Sequence, residues 1–252
     1  MHGHLPSTGA SVRGYLSPNH TDRRGVDRPD MVVLHYTGMQ SAIAAINRLC
    51  DPAAEVSAHY VIDVDGTVFA LVDENRRAWH AGRSRWGDVT DVNSHSIGIE
   101  IVNPGHGAGY PPFPEQQMTS VENVLREIIE RWSIPPWRVV GHACVAPGRK
   151  IDPGEKFDWR RLAMQGLAVW LDPAIDDDAP GDSAAFRNAA ASIGYYVPDS
   201  QGWTEDLLDV WSAFAMRFLP GHAKCVPSAS GVAHAEKLAL RWPAVDPHIA
   251  KL

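Results

Sequence analysis

The chain has 252 residues, of which 44% are hydrophobic and 21% charged, as is usual for a globular protein of one large domain or a medium domain with a small one. Its formal net charge of -7 argues against a general nucleic-acid binder, because phosphate contacts need clustered Lys and Arg. The three cysteines, Cys50, Cys144 and Cys225, are odd in number and far apart, so no disulfide framework is predicted.

The sequence contains no segment typical of export or membrane insertion. The first thirty residues lack an apolar run of signal-peptide length, and no stretch of about 18 apolar residues occurs elsewhere. We therefore expect no membrane span and a cytoplasmic location. The alternative is an exported or periplasmic protein whose signal is missing from this sequence.

The first part of the chain predicts an arm followed by strands and a helix. Residues 1–30, rich in Pro, Gly and Asn, predict an extended arm. The apolar run 30–38 predicts a buried strand, and residues 41–50 have the spacing of a helix. Residues 57–72 predict two strands around the Asp65-Gly66 turn, so part of the sheet is expected to be antiparallel.

The alternation continues through the next hundred residues. Residues 95–102 predict another apolar strand, 114–132 a long amphipathic helix, 137–142 a further strand and 158–171 a closing helix. This order predicts an α/β domain with a central mixed β-sheet flanked by helices.

The remaining residues predict a linker and a small helical domain. Residues 172–182 hold five Asp, two Pro and a Gly, a composition that cannot bury a face. Beyond them, residues 183–252 predict a small three-helix bundle. The chain is thus expected to divide into a domain of residues 1–171, an acidic linker of residues 172–182 and a helical domain of residues 183–252.

Candidate metal ligands follow two of the predicted strands. His35 ends one strand and His142 ends another, while Asp152 lies ten positions later on a loop rich in Pro and Gly. Two neutral imidazoles and one carboxylate, with a fourth position left to water, are typical of a catalytic zinc site. The turns around Asp152 would fix the direction of its carboxylate.

Two further residues would complete a hydrolase. Glu100 lies inside an apolar strand, where an unpaired carboxylate is unfavourable unless it has a partner or a function. Its expected function is general base and acid for a metal-bound water. Lys150 lies two positions before Asp152, so on extended backbone both side chains point the same way, and Lys150 could stabilise an oxyanion.

Each of these residues also has an ordinary structural interpretation. A histidine at a strand end is often only hydrogen-bonded, a lysine beside an aspartate is usually a surface pair, and Glu100 could face solvent on an antiparallel sheet. Cys144, two residues after His142, is an alternative ligand or a small packed side chain. Spacing alone leaves these alternatives open.

Five motifs together resemble the zinc-dependent N-acetylmuramoyl-L-alanine amidases of the AmpD type. In chain order they are VVLHYTG (32–38), VSAHYVIDVDGTV (56–68), RRAWHAG (76–82), NSHSIGIEIVN (93–103) and GHACVAPGRKIDPGEKFDW (141–159), and the match runs from about Ser17 to Trp170. Phage amidases and the peptidoglycan recognition proteins share the fold of that family, a mixed sheet flanked by helices with zinc in a surface cleft. The family cleaves the amide between the lactyl group of N-acetylmuramic acid and the L-alanine of the stem peptide.

The resemblance implies a role for each candidate residue. His35, His142 and Asp152 correspond to the ligands of one zinc ion (Zn2+) per chain. Glu100 matches the catalytic carboxylate of the family, and Lys150 matches its catalytic lysine.

Further correspondences concern the substrate groove and the tail. The motif RAWHAG lies beside the substrate groove of the family, so Arg77, Trp79 and His80 are candidate substrate-binding residues, with packing of the groove wall as the alternative. Cys144 stands where the family commonly has Asp, a departure that bears on the tuning of the site. Residues 183–252 are similar to small peptidoglycan-binding bundles, although such a bundle could simply pack against the catalytic domain.

The resemblance implies an enzyme that hydrolyses peptidoglycan fragments, specifically 1,6-anhydro-muropeptides, in peptidoglycan recycling. The alternatives are an amidase that acts on intact cell wall after export, a non-catalytic muropeptide-binding protein and a hydrolase of another amide. The presence of all three metal ligands together with Glu100 and Lys150 favours the enzyme. The lack of a signal-like segment favours the soluble substrate.

Overall fold

The computed structural model of the protein describes residues 12–175, 179–223 and 225–244. Residues 1–11 of the predicted arm, residues 176–178 of the predicted linker and residues 245–252 of the predicted helical domain lie outside the described residues. Within the described part, no helix combines the length and the apolar character that crossing a bilayer requires.

Strands and helices alternate through the first two thirds of the described chain, and helices alone follow. The strands are β1 (Val12–Gly14), β2 (His20–Asp22), β3 (Met31–Tyr36), β4 (Tyr60–Ile62), β5 (Val68–Ala70), β6 (Arg76–Ala78), β7 (Ser96–Ile101) and β8 (Val139–Gly141). The α-helices are α1 (Ala42–Cys50), α2 (Val92–His95), α3 (Glu115–Trp132), α4 (His142–Val145), α5 (Trp159–Met164), α6 (Ser183–Ile193), α7 (Glu205–Phe218) and α8 (Ala229–Arg241).

Six strands form one mixed sheet in the order β1-β5-β4-β7-β3-β8. Strands β4, β7, β3 and β8 are parallel, whereas β4 and β5 form the predicted antiparallel hairpin. Gly66 turns that hairpin at a φ of 84°, and the Asp65 side chain accepts the backbone N–H of Thr67. The predicted central mixed sheet flanked by helices is confirmed.

The two faces of the sheet are covered by different parts of the chain. Alternate residues of β7, Ile97, Ile99 and Ile101, pack with Val121 and Leu125 of α3 in one buried cluster. On the opposite face, Met31 and Val33 of β3 belong to a cluster that includes helices α6, α7 and α8. Strand β3 is therefore buried on both sides, which explains its continuous apolar run.

Helices α6 to α8 form the predicted bundle, and its core continues into the sheet domain. Phe186, Phe214 and Leu238 share one apolar cluster with Trp86 and Cys144 of the sheet domain. In the part of the chain that the structure describes, the bundle thus shares its hydrophobic core with the sheet domain.

Several local expectations differ from the structure. The closing helix ends at Met164 rather than 171, because Gly166 adopts a φ of 72° and Leu167 donates its N–H back to the Leu162 carbonyl. Residues 12–30 of the expected arm contain β1 and β2, and β2 pairs with β6 in a second sheet. The pairing of β2 joins residues separated by more than fifty positions, which periodicity does not reveal.

Candidate active site

The candidate site lies where three parallel strands end. His35 is the fifth residue of β3, Glu100 is the fifth residue of β7, and His142 directly follows β8. In the register of the sheet, His35 pairs with Glu100. Since the carboxyl ends of parallel strands meet at one edge of a sheet, these side chains converge there.

Three potential ligand atoms meet at this edge. The Nδ1 atoms of His35 and His142 are 2.9 Å apart, and Oδ2 of Asp152 lies 3.0 Å from the first and 3.1 Å from the second. All three residues are buried. Ligands bound to a tetrahedral zinc ion at ~2.0–2.1 Å lie about 3.3 Å apart, so this triangle has nearly the size that zinc requires.

The opposite ring nitrogen of His142 determines which nitrogen faces the triangle. Nε2 of His142 lies 3.1 Å from the carbonyl oxygen of Ala81, which can only accept, so Nε2 carries the proton. Nδ1 of the neutral ring is then bare. The Asp152 carboxylate lies beside it, so the centre contains lone pairs that a bound cation would coordinate. The donor set therefore fits a zinc ion.

The electrostatics of these residues agree with a metal-ligating role. Burial, followed by the nearby His142, lowers the pKa of His35 to about 4, so its ring is neutral at neutral pH. Burial acts against ionisation of Asp152, but interactions with His142 and His35 outweigh it and lower the pKa of that carboxyl. Neutral imidazoles and an ionised carboxylate are the forms that bind zinc.

Glu100 faces the same cavity in a different electrostatic state. Burial first, and then the neighbouring Asp152, raise the pKa of Glu100 well above its usual value, while Lys150 opposes this shift. Its Oε2 atom is buried and has no hydrogen-bond partner among the described residues. A buried carboxyl group with a raised pKa and an oxygen without a partner is suited to exchanging a proton with a bound reactant.

A cavity of about 390 Å³ joins these groups and has the size of a small-molecule site. Lys150 lines it together with His35, Glu100, His142 and Asp152. The backbone N–H of Lys150 donates to the Ala146 carbonyl at 3.0 Å, which holds the loop that places the lysine. The structure thus brings the five residues of the predicted zinc and catalytic set into one cavity.

The three predicted substrate-binding residues lie in different surroundings. Trp79 and His80 line the cavity, whereas Arg77 is not among the lining residues and forms an ion pair of 2.9 Å with Asp91. Nε1 of Trp79 is buried and lacks a hydrogen-bond partner within the described chain. Substrate contact by Trp79, His80 and Arg77 stays a prediction.

Cys144, the alternative ligand, points toward the bundle. Its Sγ atom accepts the hydroxyl of Tyr195 at 3.5 Å and lies 3.9 Å from Nη1 of Arg217. The group of potential ligands contains His35, His142 and Asp152 without it. The four residues after β8 form a helical turn, so His142 and Cys144 point in different directions, unlike on an extended strand.

Sequence reasoning missed Tyr36 and Arg149, which also line the cavity. Tyr36 directly follows a candidate ligand, and its hydroxyl lies 3.1 Å from Nδ1 of His106. Arg149 directly precedes Lys150 and donates to the Ala81 carbonyl at 2.7 Å, the same oxygen that His142 contacts. Adjacency to candidate site residues was the signal that could have identified both.

Comparison with known proteins identifies one family. The profile described as N-acetylmuramoyl-L-alanine amidase matches residues 25–155. The chain is 34% identical over 216 residues to the N-acetylmuramoyl-L-alanine amidase AmiD of Escherichia coli, covering 77% of this chain and 76% of the relative. It is 32% identical over 170 residues to the 1,6-anhydro-N-acetylmuramyl-L-alanine amidase AmpD of Citrobacter freundii, covering 61% and 89%.

Two solved structures resemble most of the molecule. Escherichia coli AmiD in complex with anhydro-N-acetylmuramic acid-L-Ala-D-gamma-Glu-L-Lys has a TM-score of 0.76 and 32% identity, covering 87% of this chain and 93% of its own. AmpDH3 of Pseudomonas aeruginosa in complex with anhydromuramic pentapeptide has a TM-score of 0.77 and 30% identity, covering 86% and 93%. Because coverage exceeds 85% of this chain, both similarities extend into the helical bundle.

Proposed function

Because the chain belongs to the N-acetylmuramoyl-L-alanine amidase family, we propose that it hydrolyses the amide between 1,6-anhydro-N-acetylmuramic acid and the L-alanine of the stem peptide in peptidoglycan recycling. The observation that carries this proposal is the meeting of His35, His142 and Asp152 in the cavity that Glu100 also lines. Two similar structures hold anhydro-muropeptides, which supports this substrate class.

We propose zinc as the metal, held by His35, His142 and Asp152. When bound there, zinc would supply Lewis-acid chemistry and a water nucleophile available near neutral pH. The triangle of donor atoms, the bare Nδ1 of His142 and the ionised Asp152 support this choice.

Glu100 would move the protons of the reaction. The carboxylate would accept a proton from the attacking water and return it to the nitrogen of the leaving L-alanine. Its raised pKa supports the first role, because a more basic carboxylate takes up a proton from water more readily.

Lys150 and Trp79 would act on the substrate itself. The ammonium group of Lys150 would donate to the oxygen that becomes negative as the amide carbonyl is attacked. Trp79 would present its ring face to the substrate. These roles follow from their shared place in the cavity wall.

Mass spectrometry of reaction products tests the proposal. Purified protein would be incubated with an anhydro-muropeptide and, separately, with intact sacculi, with and without a chelator and added zinc. Free stem peptide from the soluble substrate, lost with the chelator and restored by zinc, is the expected result. Release from sacculi alone would contradict the proposed substrate form, and release from neither would contradict the enzymatic role.

The location of the protein stays a prediction from its sequence. Recycling of soluble fragments would fit the cytoplasm, whereas action on the wall would require export. Fractionation of cells that produce the full chain, followed by detection of the protein in each fraction, distinguishes the two.

A further inference from the structure

We propose that His80 is a positioning residue of the metal centre, which fixes the tautomer of His35 through a hydrogen-bond relay ending at the carbonyl of Val92. The inference rests on the metal-binding role proposed for His35. It assigns His80 a different function from the substrate contact expected from the sequence.

The Ser96 end of the relay determines which group donates each hydrogen bond. The hydroxyl oxygen of Ser96 lies 2.6 Å from the carbonyl oxygen of Val92, a distance that requires the Ser96 proton between them. The Ser96 oxygen is then free to accept, and Nε2 of His80 lies 3.2 Å away. Nε2 of His80 therefore carries the proton of this ring.

The proton on Nε2 of His80 determines the tautomer of the metal ligand His35. A neutral imidazole has one N–H, so Nδ1 of His80 is bare and acts as an acceptor. It lies 3.0 Å from Nε2 of His35, which must then donate. This leaves Nδ1 of His35 without a proton, 3.0 Å from the Asp152 carboxylate, in the form that can bind a metal.

The relay prevents a competing arrangement. If His35 carried its proton on Nδ1, that N–H would donate to Asp152 and would close the ligand triangle without a metal. Zinc would then have to displace this proton before it could bind. By accepting a hydrogen bond from Nε2 of His35, His80 holds the proton on the far side of the ring and removes this competition.

The surroundings of His80 hold its ring in place. His80 is 8% exposed, and its backbone N–H and that of Ala81 both donate to Oδ1 of Asn93, at 3.1 and 2.8 Å. The ring lies directly on Gly98, where a Cβ atom would come within 2.4 Å of it. Any side chain at position 98 would therefore displace His80 from His35.

One face of β7 supplies both the relay and the candidate base. Ser96, Gly98 and Glu100 are alternate residues of this strand and point to the same side. Ser96 ends the relay, Gly98 leaves space for the His80 ring, and Glu100 faces the cavity. A single strand thus sets the orientation of His35 relative to Glu100.

Nitrogen-15 NMR of the histidines in the metal-free full chain tests the relay directly. We expect His35 and His80 each to carry the proton on Nε2. His80→Asn, whose Oδ1 can replace the Nδ1 acceptor, should keep the His35 tautomer, whereas His80→Leu should lose it. Ser96→Ala, a smaller change that removes only the end of the relay, should shift the protons of both rings toward Nδ1.

Zinc affinity, measured by competition with a chromophoric chelator, is the second readout. His80→Leu should weaken zinc binding about 10- to 100-fold, the usual effect of removing a hydrogen-bond partner of a metal ligand. His80→Asn should retain most of the zinc affinity. His59→Asn is the matched control, since this buried ring lies 5.8 Å from His80 but bonds Gly98 and Arg76 instead of a ligand. It should bind zinc as tightly as the wild type.

A proton on Nδ1 of His80 in the wild type, or unchanged zinc affinity in both His80→Leu and Ser96→Ala, would overturn the relay. If His80→Leu does not fold, the wild-type spectrum and Ser96→Ala still decide. Wild-type protein with the expected tautomers but without amidase activity would support the relay and contradict the proposed function.

Discussion

His35 and Glu100 occupy paired positions on the adjacent parallel strands β3 and β7. Their side chains leave the sheet on the same face, so a candidate metal ligand and a candidate base are fixed by backbone hydrogen bonds rather than by a loop. Each can therefore be altered by substitution without displacing the other, which makes the two roles separable by experiment.

Glu100→Gln should abolish turnover while zinc remains bound. Loss of a general base and acid typically lowers the rate by about 10²- to 10⁴-fold, and Glu100 is not part of the ligand triangle. The melting temperature should rise, because the neutral amide removes a buried negative charge next to Asp152. Rate, bound zinc and thermal unfolding are measured beside Glu130→Gln, an exposed control on α3. Near wild-type turnover would contradict the assignment of Glu100 as general base and acid.

Lys150→Met should lower kcat by about 10²- to 10³-fold with little change in KM, because oxyanion stabilisation acts mainly in the transition state. Lys156→Met serves as the control, since Lys156 is exposed on the same loop and bonds the Tyr110 carbonyl. Equal losses in both variants would indicate a general effect on the loop instead of a catalytic role.

Removal of the metal should destabilise the protein as well as inactivate it. A ligand that binds only the folded state at about 100 times its Kd adds about 2.7 kcal/mol to the free energy of unfolding. Calorimetry with chelator and with added zinc measures this difference. Asp152→Ala should unfold at the same temperature under both conditions, because one of three ligands is missing. A zinc-dependent shift in that variant would place the ion elsewhere.

The metal-free protein should lose stability in acid partly through His59. Burial, and then the Arg23 charge, lower the pKa of His59 to about 3. An unfolded histidine titrates near ~6.5, so between these values the unfolded chain binds a proton that the folded chain excludes. The free energy of unfolding should therefore fall by about 1.4 kcal/mol per pH unit for this residue as the pH drops below about 6.5.

Urea denaturation at about pH 7 and about pH 5 checks this prediction. His59→Asn should reduce the difference between the two pH values by the contribution of one proton. An unchanged pH dependence would mean that His59 is protonated in the folded protein.

Arg217→Met should destabilise the whole molecule. Arg217 is 2% exposed, donates to the Val139 carbonyl at 2.9 Å and stacks over Trp159, so α7 is bonded to β8. The orphaned carbonyl should reduce stability by about 1–3 kcal/mol. Thermal unfolding should stay a single transition, and Arg241→Met, on the exposed end of α8, should change little. A separate, earlier transition would show that the bundle unfolds alone.

The sequence was sufficient to locate elements whose pattern is local. The apolar runs of β3 and β7, the Asp65-Gly66 turn and the helical spacing of α3 each follow from neighbouring residues. His35 could be placed at a strand end and Glu100 inside a strand for the same reason. The strand ends suggested that His35 and His142 form a metal site, and the family resemblance then favoured that site over the ordinary structural interpretations.

Other features depend on contacts between distant segments. The link between His80 and His35 spans 45 positions, and its meaning depends on Ser96, which sequence reasoning did not single out. The ion pair of Arg77 with Asp91 could not be read from the sequence either. The acidic run suggested two separate domains, yet the apolar cluster passes across that boundary.

Because Cys144 is buried, the rate at which its thiol is labelled can report internal motion of the protein. Its thiol lies between α4 and α7 and accepts a hydrogen bond from the Tyr195 hydroxyl. Cys225, in contrast, is exposed on the bundle surface. A thiol reagent can reach Cys144 only when the helices separate from the segment that carries His142. The labelling rate at this position, relative to Cys225, therefore measures how often the two halves of the shared core come apart.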